Sequence, residues 1–227
     1  MATSNRETAK LHHVENWIFD LDNTLYAANA GLLGAVEARI CLFVETELGL
    51  DKTQAWAVQK AYFREFGTTL AGLMQRHGTD AESYLAFVND VALAGLMPDP
   101  ALAAGLARLP GRRFVFTNNC GRYAERVLAQ LGVSHLFDDV WDVRTMGFVP
   151  KPSPAAYDIV LRHGAVRPQS AAMFDDIPAN LKIPHMLGMT TIWLRTSPAL
   201  GDKAPHIHHE IDNLPAFLHA IEVAAPP

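Results

Sequence analysis

WIFDLDNTLY, residues 17–26, sets an apolar run against two carboxylates. Trp17, Ile18 and Phe19 lead into Asp20, and Asp22 follows after one intervening residue. A short apolar run of this kind reads as a buried strand. Two carboxylates on one side of its end repel each other, and burying either is costly unless something compensates. The compensation must come from other parts of the chain that end beside this strand.

The second half of the chain supplies them. RFVFT (113–117), VWDV (140–143), AAMFD (171–175) and TTIWL (190–194) each read as a short strand. Helical patterns follow each of them, over 122–132, 153–164, 179–188 and 214–224. With 17–21 that makes five strands. Strands alternating with helices imply right-handed crossovers and a parallel, doubly wound α/β sheet. In such sheets the site lies at the carboxyl ends of the strands.

The stretch 31–96 breaks this rhythm. Leu32, Leu33, Val36, Ile40, Phe43 and Val44 recur at helical spacing, and 53–67, 68–78 and 80–93 follow the same rule. Gly67 and Gly78 separate them, and Thr79 or Asp80 can cap the last. No strand pattern interrupts the stretch. The expected organisation is a core of residues 1–26 and 99–227 carrying an inserted helical unit of residues 27–98. Residues 1–15 read as a loose tail.

Bulk properties narrow the classes of function. A net charge of −5 gives no general attraction to nucleic acid or to an anionic membrane. No apolar run reaches membrane-span length, and the polar N-terminus lacks a signal-peptide core. Cys41 and Cys120 stand in unlike contexts, so a reduced cytoplasmic protein is expected, with one disulfide left open. Five histidines, His12, His13, His206, His208 and His209, fall in polar terminal regions without zinc-type spacing. They are expected to be exposed and unliganded.

The polar groups fall at the strand ends. Asp20 and Asp22 follow the first strand, Thr117-Asn118-Asn119 the second, Lys151 lies beyond the third, and Asp175-Asp176 close the fourth. Taken singly, each has an ordinary explanation: a turn-forming Asp, a solvated Lys, a helix start with acids near its dipole. Taken together, they gather at one edge of one sheet. Asp20, Asp22, Asp175 and Asp176 suit a hard divalent ion, Mg²⁺ foremost, and Mg²⁺ points to a phosphorylated substrate. Lys151 can neutralise a nucleophile or a phosphoryl oxygen. Thr117 offers a hydroxyl, and the backbone N–H groups after it can hold an anion. One carboxylate can attack phosphorus, and a second, two residues on, can carry the proton.

These residues resemble a known family. FDLDNTLY is similar to the first motif of the haloacid dehalogenase-like (HAD-like) hydrolases, and Thr117, Lys151 and Asp175-Asp176 follow in the order of its other three. The resemblance spans residues 17 to about 194. It implies a Rossmann-like core, Mg²⁺ and phosphoryl transfer through an aspartyl-phosphate. By position, Asp20 is the implied nucleophile and a metal ligand. Asp22 is the implied acid/base, giving its backbone carbonyl to the metal. Thr117 and Asn118 would bind phosphate, and Lys151 would hold both nucleophile and phosphate. Asp176 is the implied main metal ligand, with Asp175 beside it or acting through water. Asp22 also separates phosphate chemistry from dehalogenation, since a halide needs no proton to leave.

Within the family, AYFREFGTTLAGL (61–73) and Tyr26 resemble the pyrimidine 5′-nucleotidases. Phe63, Arg64, Phe66 and Thr68 are candidates for contacting a base or sugar. Two departures stand out. Ile177-Pro178 follow the acidic pair, and Pro184 falls inside a helical stretch, where a kink could shift that pair. The expected function is a phosphatase for small phosphorylated metabolites, with nucleoside 5′-monophosphates preferred. A sugar-phosphate phosphatase or phosphomutase is the alternative, and a binding protein that kept the fold comes after it. The oligomeric state is not legible.

Overall fold

The computed structural model describes residues 9–27, 31–197 and 203–223. Six strands form one parallel sheet: β1 (Asn16–Phe19), β2 (Arg112–Phe116), β3 (Asp139–Trp141), β4 (Ala171–Asp175), β5 (Thr190–Leu194) and β6 (His209–Ile211), in the order β3-β2-β1-β4-β5-β6. β1 is central. All four of its residues are buried, as a strand covered on both faces requires. Its last residue, Phe19, pairs in register with Val115 on one side and Phe174 on the other. The ends of β1, β2 and β4 therefore reach the same edge side by side.

Aromatic side chains fill the layers against the sheet. Phe19 stacks on Phe174 with ring centroids 4.5 Å apart, and Phe114 stacks on Trp141 at 4.2 Å. Asn16, the one polar residue of β1, is buried and accepts two hydrogen bonds from the Arg112 guanidinium.

Four helices follow β1: α1 (Leu32–Leu48), α2 (Lys52–Phe66), α3 (Thr69–His77) and α4 (Ala81–Val88). Their ends obey local rules. Asp51 and Gln54 form a reciprocal capping box on α2, Thr68 caps α3 and Asp80 caps α4. Gly49, Gly67 and Gly78 close α1, α2 and α3 in the left-handed conformation. At Gly67 more than conformation is involved, because a Cβ there would lie 3.0 Å from the Lys151 carbonyl oxygen. The α2–α3 junction thus rests on the loop that carries Lys151. The remaining helices are α5 (Pro100–Ala107), α6 (Gly121–Leu131), α7 (Pro154–His163), α8 (Lys182–Met186) and α9 (Leu214–Ala220). No helix among the described residues is long and apolar enough to cross a membrane.

The structure corrects several expectations. The part of the N-terminal tail that is described, residues 9–15, is packed rather than loose. Leu11 and Val14 are buried, and backbone bonds join Leu11 and Ala9 to Glu222 beyond α9. A sixth strand, β6, was hidden by its composition. It is a three-residue edge strand, HEI, in which only Ile211 is buried. Helix α5 was hidden too, because its nearly all-apolar sequence has no stripe, although Asp99 caps it and Pro100 opens it. The stretch after Asp176 is a 3₁₀ turn, Pro178–Leu181, followed by the five-residue α8. Pro184 lies in the first turn of α8, where its missing N–H removes no helical bond, and β4 still ends at Asp175. His206 and His209 are half-buried rather than exposed. His206 hydrogen-bonds the Pro178 carbonyl, and His208 accepts from the Thr191 N–H. Cys41 and Cys120 are buried free thiols.

One glycine controls the start of the central pairing. Gly111 has φ +77°, and a Cβ there would lie 2.1 Å from the Glu15 carbonyl oxygen, the acceptor of the Arg112 N–H. Gly111→Ala is expected to destabilise the fold by roughly 2 kcal/mol or more. Urea denaturation monitored by tryptophan fluorescence checks this.

Candidate active site

Lys151 sits at the centre of the strand-end edge. It lies in the loop between β3 and α7, and its side chain is 1% exposed. Its Nζ donates to Asp20 Oδ1 at 2.7 Å, to the Phe116 carbonyl at 2.8 Å and to Asp175 Oδ2 at 2.9 Å. One ammonium thus ties the ends of β1, β2 and β4 together. An ammonium has three donors, and all three are engaged.

Backbone and side-chain bonds hold the loop in place. Asn118 brackets the Lys151 backbone, accepting from its N–H at 2.8 Å and donating to its carbonyl at 3.1 Å. Asp142, just past β3, accepts from the Gly121 N–H at the start of α6 and from the Arg144 and Thr145 N–H groups. Thr117 is buried, and its hydroxyl oxygen accepts from the Asn119 N–H at 3.0 Å.

The carboxylates divide by their partners. Asp175 is fully buried, and both its oxygens accept hydrogen bonds from the protein: Oδ1 from the Ile177 N–H and Asn180, Oδ2 from Lys151 and Asn180. Among the described residues the Asp176 carboxylate accepts only from Asn23, at 3.3 Å. Asp22 Oδ1 accepts from the hydroxyls of Tyr26 and Tyr123. Carboxylate oxygens of Asp20, Asp175 and Asp176 all lie within 4.8 Å of one another.

Electrostatics follow from this crowding. Burial pushes the Asp20 carboxyl well above its ordinary range; Lys151 opposes the rise, and Asp175, Asp176 and Asp22 add to it. Burial, then the Asp175 charge, pushes Asp176 up to about 7. Burial raises Asp22, against hydrogen bonding from Tyr26, Tyr123 and Asn119 and the Lys151 charge. Burial works to lower Lys151, but the Asp175 and Asp20 carboxylates outweigh it and hold the ammonium above its ordinary value. Four carboxylates face one ammonium, an imbalance that a divalent cation on their oxygens would relieve.

Asp20, Asp22, Thr117, Asn118, Lys151 and Asp176 all line one cavity of 240 Å³. Asp175 stands behind it. The opposite wall comes from the α1–α4 helices and is largely apolar, with Leu33, Val36, Ile40, Leu70, Leu85 and Val88. Phe63 and Thr68 face this cavity, whereas Arg64 and Phe66 line a neighbouring cleft that shares Phe63 and Lys151 with it.

Sequence reading missed Asn23, Gln59, Tyr123 and Asn180. Asn23 carried a signal, since it adopts φ 60°, a conformation Asn tolerates better than most residues. Tyr123 and Gln59 carried none, because each meets its partners only across the folded chain.

The family model for haloacid dehalogenase-like hydrolases matches residues 16–184. The chain belongs to this family. Among curated proteins, phosphate metabolism protein 8 of Saccharomyces cerevisiae is 27% identical over 189 residues, covering 76% of this chain. The chain spans 59% of that relative's length. HAD-hydrolase YfnB from Bacillus subtilis has a similar structure, with TM-score 0.60, 17% identity and coverage of 91% of this chain and 97% of that one. The HAD phosphatase from Thermococcus onnurineus gives 0.57 at 18% identity, covering 87% and 93%. The 2-haloacid dehalogenase from Pseudomonas syringae pv. Tomato DC3000 gives 0.57 at 20%, covering 91% and 98%. The HAD-like fold is therefore common to a phosphatase and a dehalogenase, and the chemistry must be argued from the site.

The raised carboxylates bear on stability. Asp176 goes from an ordinary value of 3.8 to about 7 on folding, so between those values the folded chain holds a proton that the unfolded chain has released. That stability is fully present below about pH 4 and is lost as pH rises through 7; the raised Asp20 and Asp22 act in the same direction. Urea denaturation of chelator-treated protein is expected to show lower stability near pH 8 than near pH 5. In Asp176→Asn the difference is expected to shrink.

Proposed function

We propose that this chain is a Mg²⁺-dependent phosphomonoesterase that works through an aspartyl-phosphate on Asp20, with pyrimidine nucleoside 5′-monophosphates as its preferred substrates. The observation that carries the reading is Asp22. It lies on the same cavity as Asp20 and Lys151, and its raised carboxyl suits proton transfer. Displacing a halide would leave such a group idle, whereas an alkoxide leaving group needs its proton.

In the first step an Asp20 oxygen attacks phosphorus and the ester P–O bond breaks. The electron pair leaves on the alcohol oxygen, which takes the proton of Asp22. In the second step water attacks the same phosphorus and gives a proton to Asp22. The Asp20–phosphorus bond then breaks and inorganic phosphate leaves. Thr117 and the Asn118 backbone N–H bind the phosphoryl oxygens. Lys151 has no donor left over, so it fixes Asp20 through Oδ1 and serves the phosphoryl group through its charge.

The all-oxygen donor set fits a hard divalent ion. Asp20, Asp176 and the Asp22 carbonyl would hold Mg²⁺, with Asp175, whose oxygens are already engaged, behind them. Bound there, the ion would supply positive charge to the carboxylates and to a phosphoryl group.

Residues 27–98 are assigned as the cap and residues 1–26 and 99–227 as the core. Two cap features favour a pyrimidine ring. Phe63 is 48% exposed at the cavity and offers a ring face. Gln59, buried on the cavity wall, donates to the Glu37 carbonyl through Nε2 and leaves Oε1 without a partner. The uracil N3–H or the cytosine 4-amino group would satisfy that acceptor. The yeast relative's name is consistent with phosphate chemistry, and two buried free thiols suit a reducing cytoplasm. Neither nucleic acid nor membrane enters this reading as a partner.

A phosphate-release screen with Mg²⁺ is expected to favour UMP and CMP over sugar phosphates and small phospho-acids. If it does not, the nucleotide preference is wrong and the hydrolase chemistry stands. Asp20→Asn is expected to reduce release to background with an unchanged circular-dichroism spectrum. EDTA is expected to stop turnover and Mg²⁺ to restore it. Turnover that survives either the substitution or chelation would contradict the mechanism.

A further inference from the structure

Tyr26 lies in the turn after β1 and Tyr123 in the first turn of α6, and both are buried. Their hydroxyl oxygens lie 3.2 Å apart. Both hydroxyls donate to one and the same oxygen of Asp22, Oδ1: Tyr123 at 3.1 Å and Tyr26 in a shorter bond. Oδ2 takes neither. Packing alone does not call for this arrangement, because phenylalanine would fill both places without burying two hydroxyls beside a carboxyl group. An ordinary phenol is protonated at neutral pH, so both hydroxyls are donors.

In a protonated carboxyl group one oxygen carries the hydrogen and the other is left to accept. Two donors fixed on Oδ1 make it the accepting oxygen and leave the hydrogen to Oδ2. We propose that Tyr26 and Tyr123 are positioning residues that hold Asp22 so that Oδ2 delivers the proton to the departing ester oxygen. The inference rests on the phosphomonoesterase reading above. It gives a role to Tyr26 that packing does not explain, and it adds Tyr123 from a distant part of the chain.

The test compares two esters of similar shape, p-nitrophenyl phosphate and benzyl phosphate. p-Nitrophenolate leaves readily without a proton, whereas benzyl alkoxide does not. The value read is kcat/KM, which reports steps up to the first P–O cleavage, for wild type, Tyr26→Phe and Tyr123→Phe. In each variant the loss on benzyl phosphate is expected to exceed the loss on p-nitrophenyl phosphate by about tenfold or more. A smaller folded fraction lowers both values equally and leaves their ratio intact, so impaired folding cannot imitate the effect. In an Asp22→Asn background, adding Tyr26→Phe is expected to change the ratio no further, as residues acting through one group require. Equal losses on the two esters, no loss on either, or a further change in the Asp22→Asn background would overturn the positioning role. Wild-type protein that releases phosphate from neither ester would instead overturn the phosphomonoesterase reading, and this inference with it.

Discussion

The ammonium of Lys151, buried and bonded to Asp20, Asp175 and the Phe116 carbonyl, is the interaction on which the rest of the site depends. Removing an ammonium and two carboxylates from water costs several kcal/mol per ion, and their attraction offsets that only when geometry is good and other hydrogen bonds complete the set. Here they do. Asn180 and the Ile177 N–H complete Asp175, and Asn118 fixes the lysine's own backbone. The network joins three strand ends and the loop after a fourth strand. It can do so because β1 pairs with β2 and β4 in parallel register and their ends coincide. Sheet topology places the charges, and the charges in turn fix the loops.

The same network orders the carboxylates by freedom. Asp175 has every oxygen engaged and contributes charge without mobility. Asp176, held by one long bond from Asn23, has oxygens available to a cation. Asp20 keeps one oxygen on Lys151 and the other available to react. Asp22 has no lysine contact within bonding distance and is held by tyrosines, so it can change protonation without breaking the ion pairs beside it. Asp20 and Asp22, separated by one leucine, thus occupy two different environments.

What was legible in the sequence was what is local. Trp17 to Phe19, Phe114 to Phe116 and Met173 to Phe174 announce buried strands because both faces of a parallel strand are apolar. The acids, Thr117 and Lys151 were visible because they fall at fixed places relative to those strands. β6 was not visible, since an edge strand covered on few sides can be written His-Glu-Ile. α5 was not, since it buries only Leu102, Gly105 and Leu106 and its exposed face is made of Pro100 and alanines rather than polar residues. Ala9 to Val14 looked like a tail because their partner, the segment around Glu222, lies at the other end of the chain. Gln59 and Tyr123 belong to the same class, their meaning depending on what the fold sets opposite them.

This separation between local and distant information has a consequence for how the family diversifies. In the proposed mechanism the reacting group, Asp20, and Lys151 come from the sheet edge, which a phosphatase and a dehalogenase share at the level of fold. In that mechanism whether a proton reaches the leaving group depends on Asp22, whose hydrogen-bond partners Tyr26 and Tyr123 come from a turn after β1 and a helix after β2. What enters depends on α1–α4, whose wall is apolar except at a few places such as Gln59. One contact between these layers is Gly67 against the Lys151 carbonyl, where a Cβ would lie 3.0 Å from the oxygen. A charge joins them as well: Glu82 of α4 accepts from Arg144, in the loop that carries Lys151, at 2.8 and 2.6 Å. On the proposed reading, substitutions in the wall change the shape of the admitted substrate without disturbing the Lys151 ion pairs with Asp20 and Asp175.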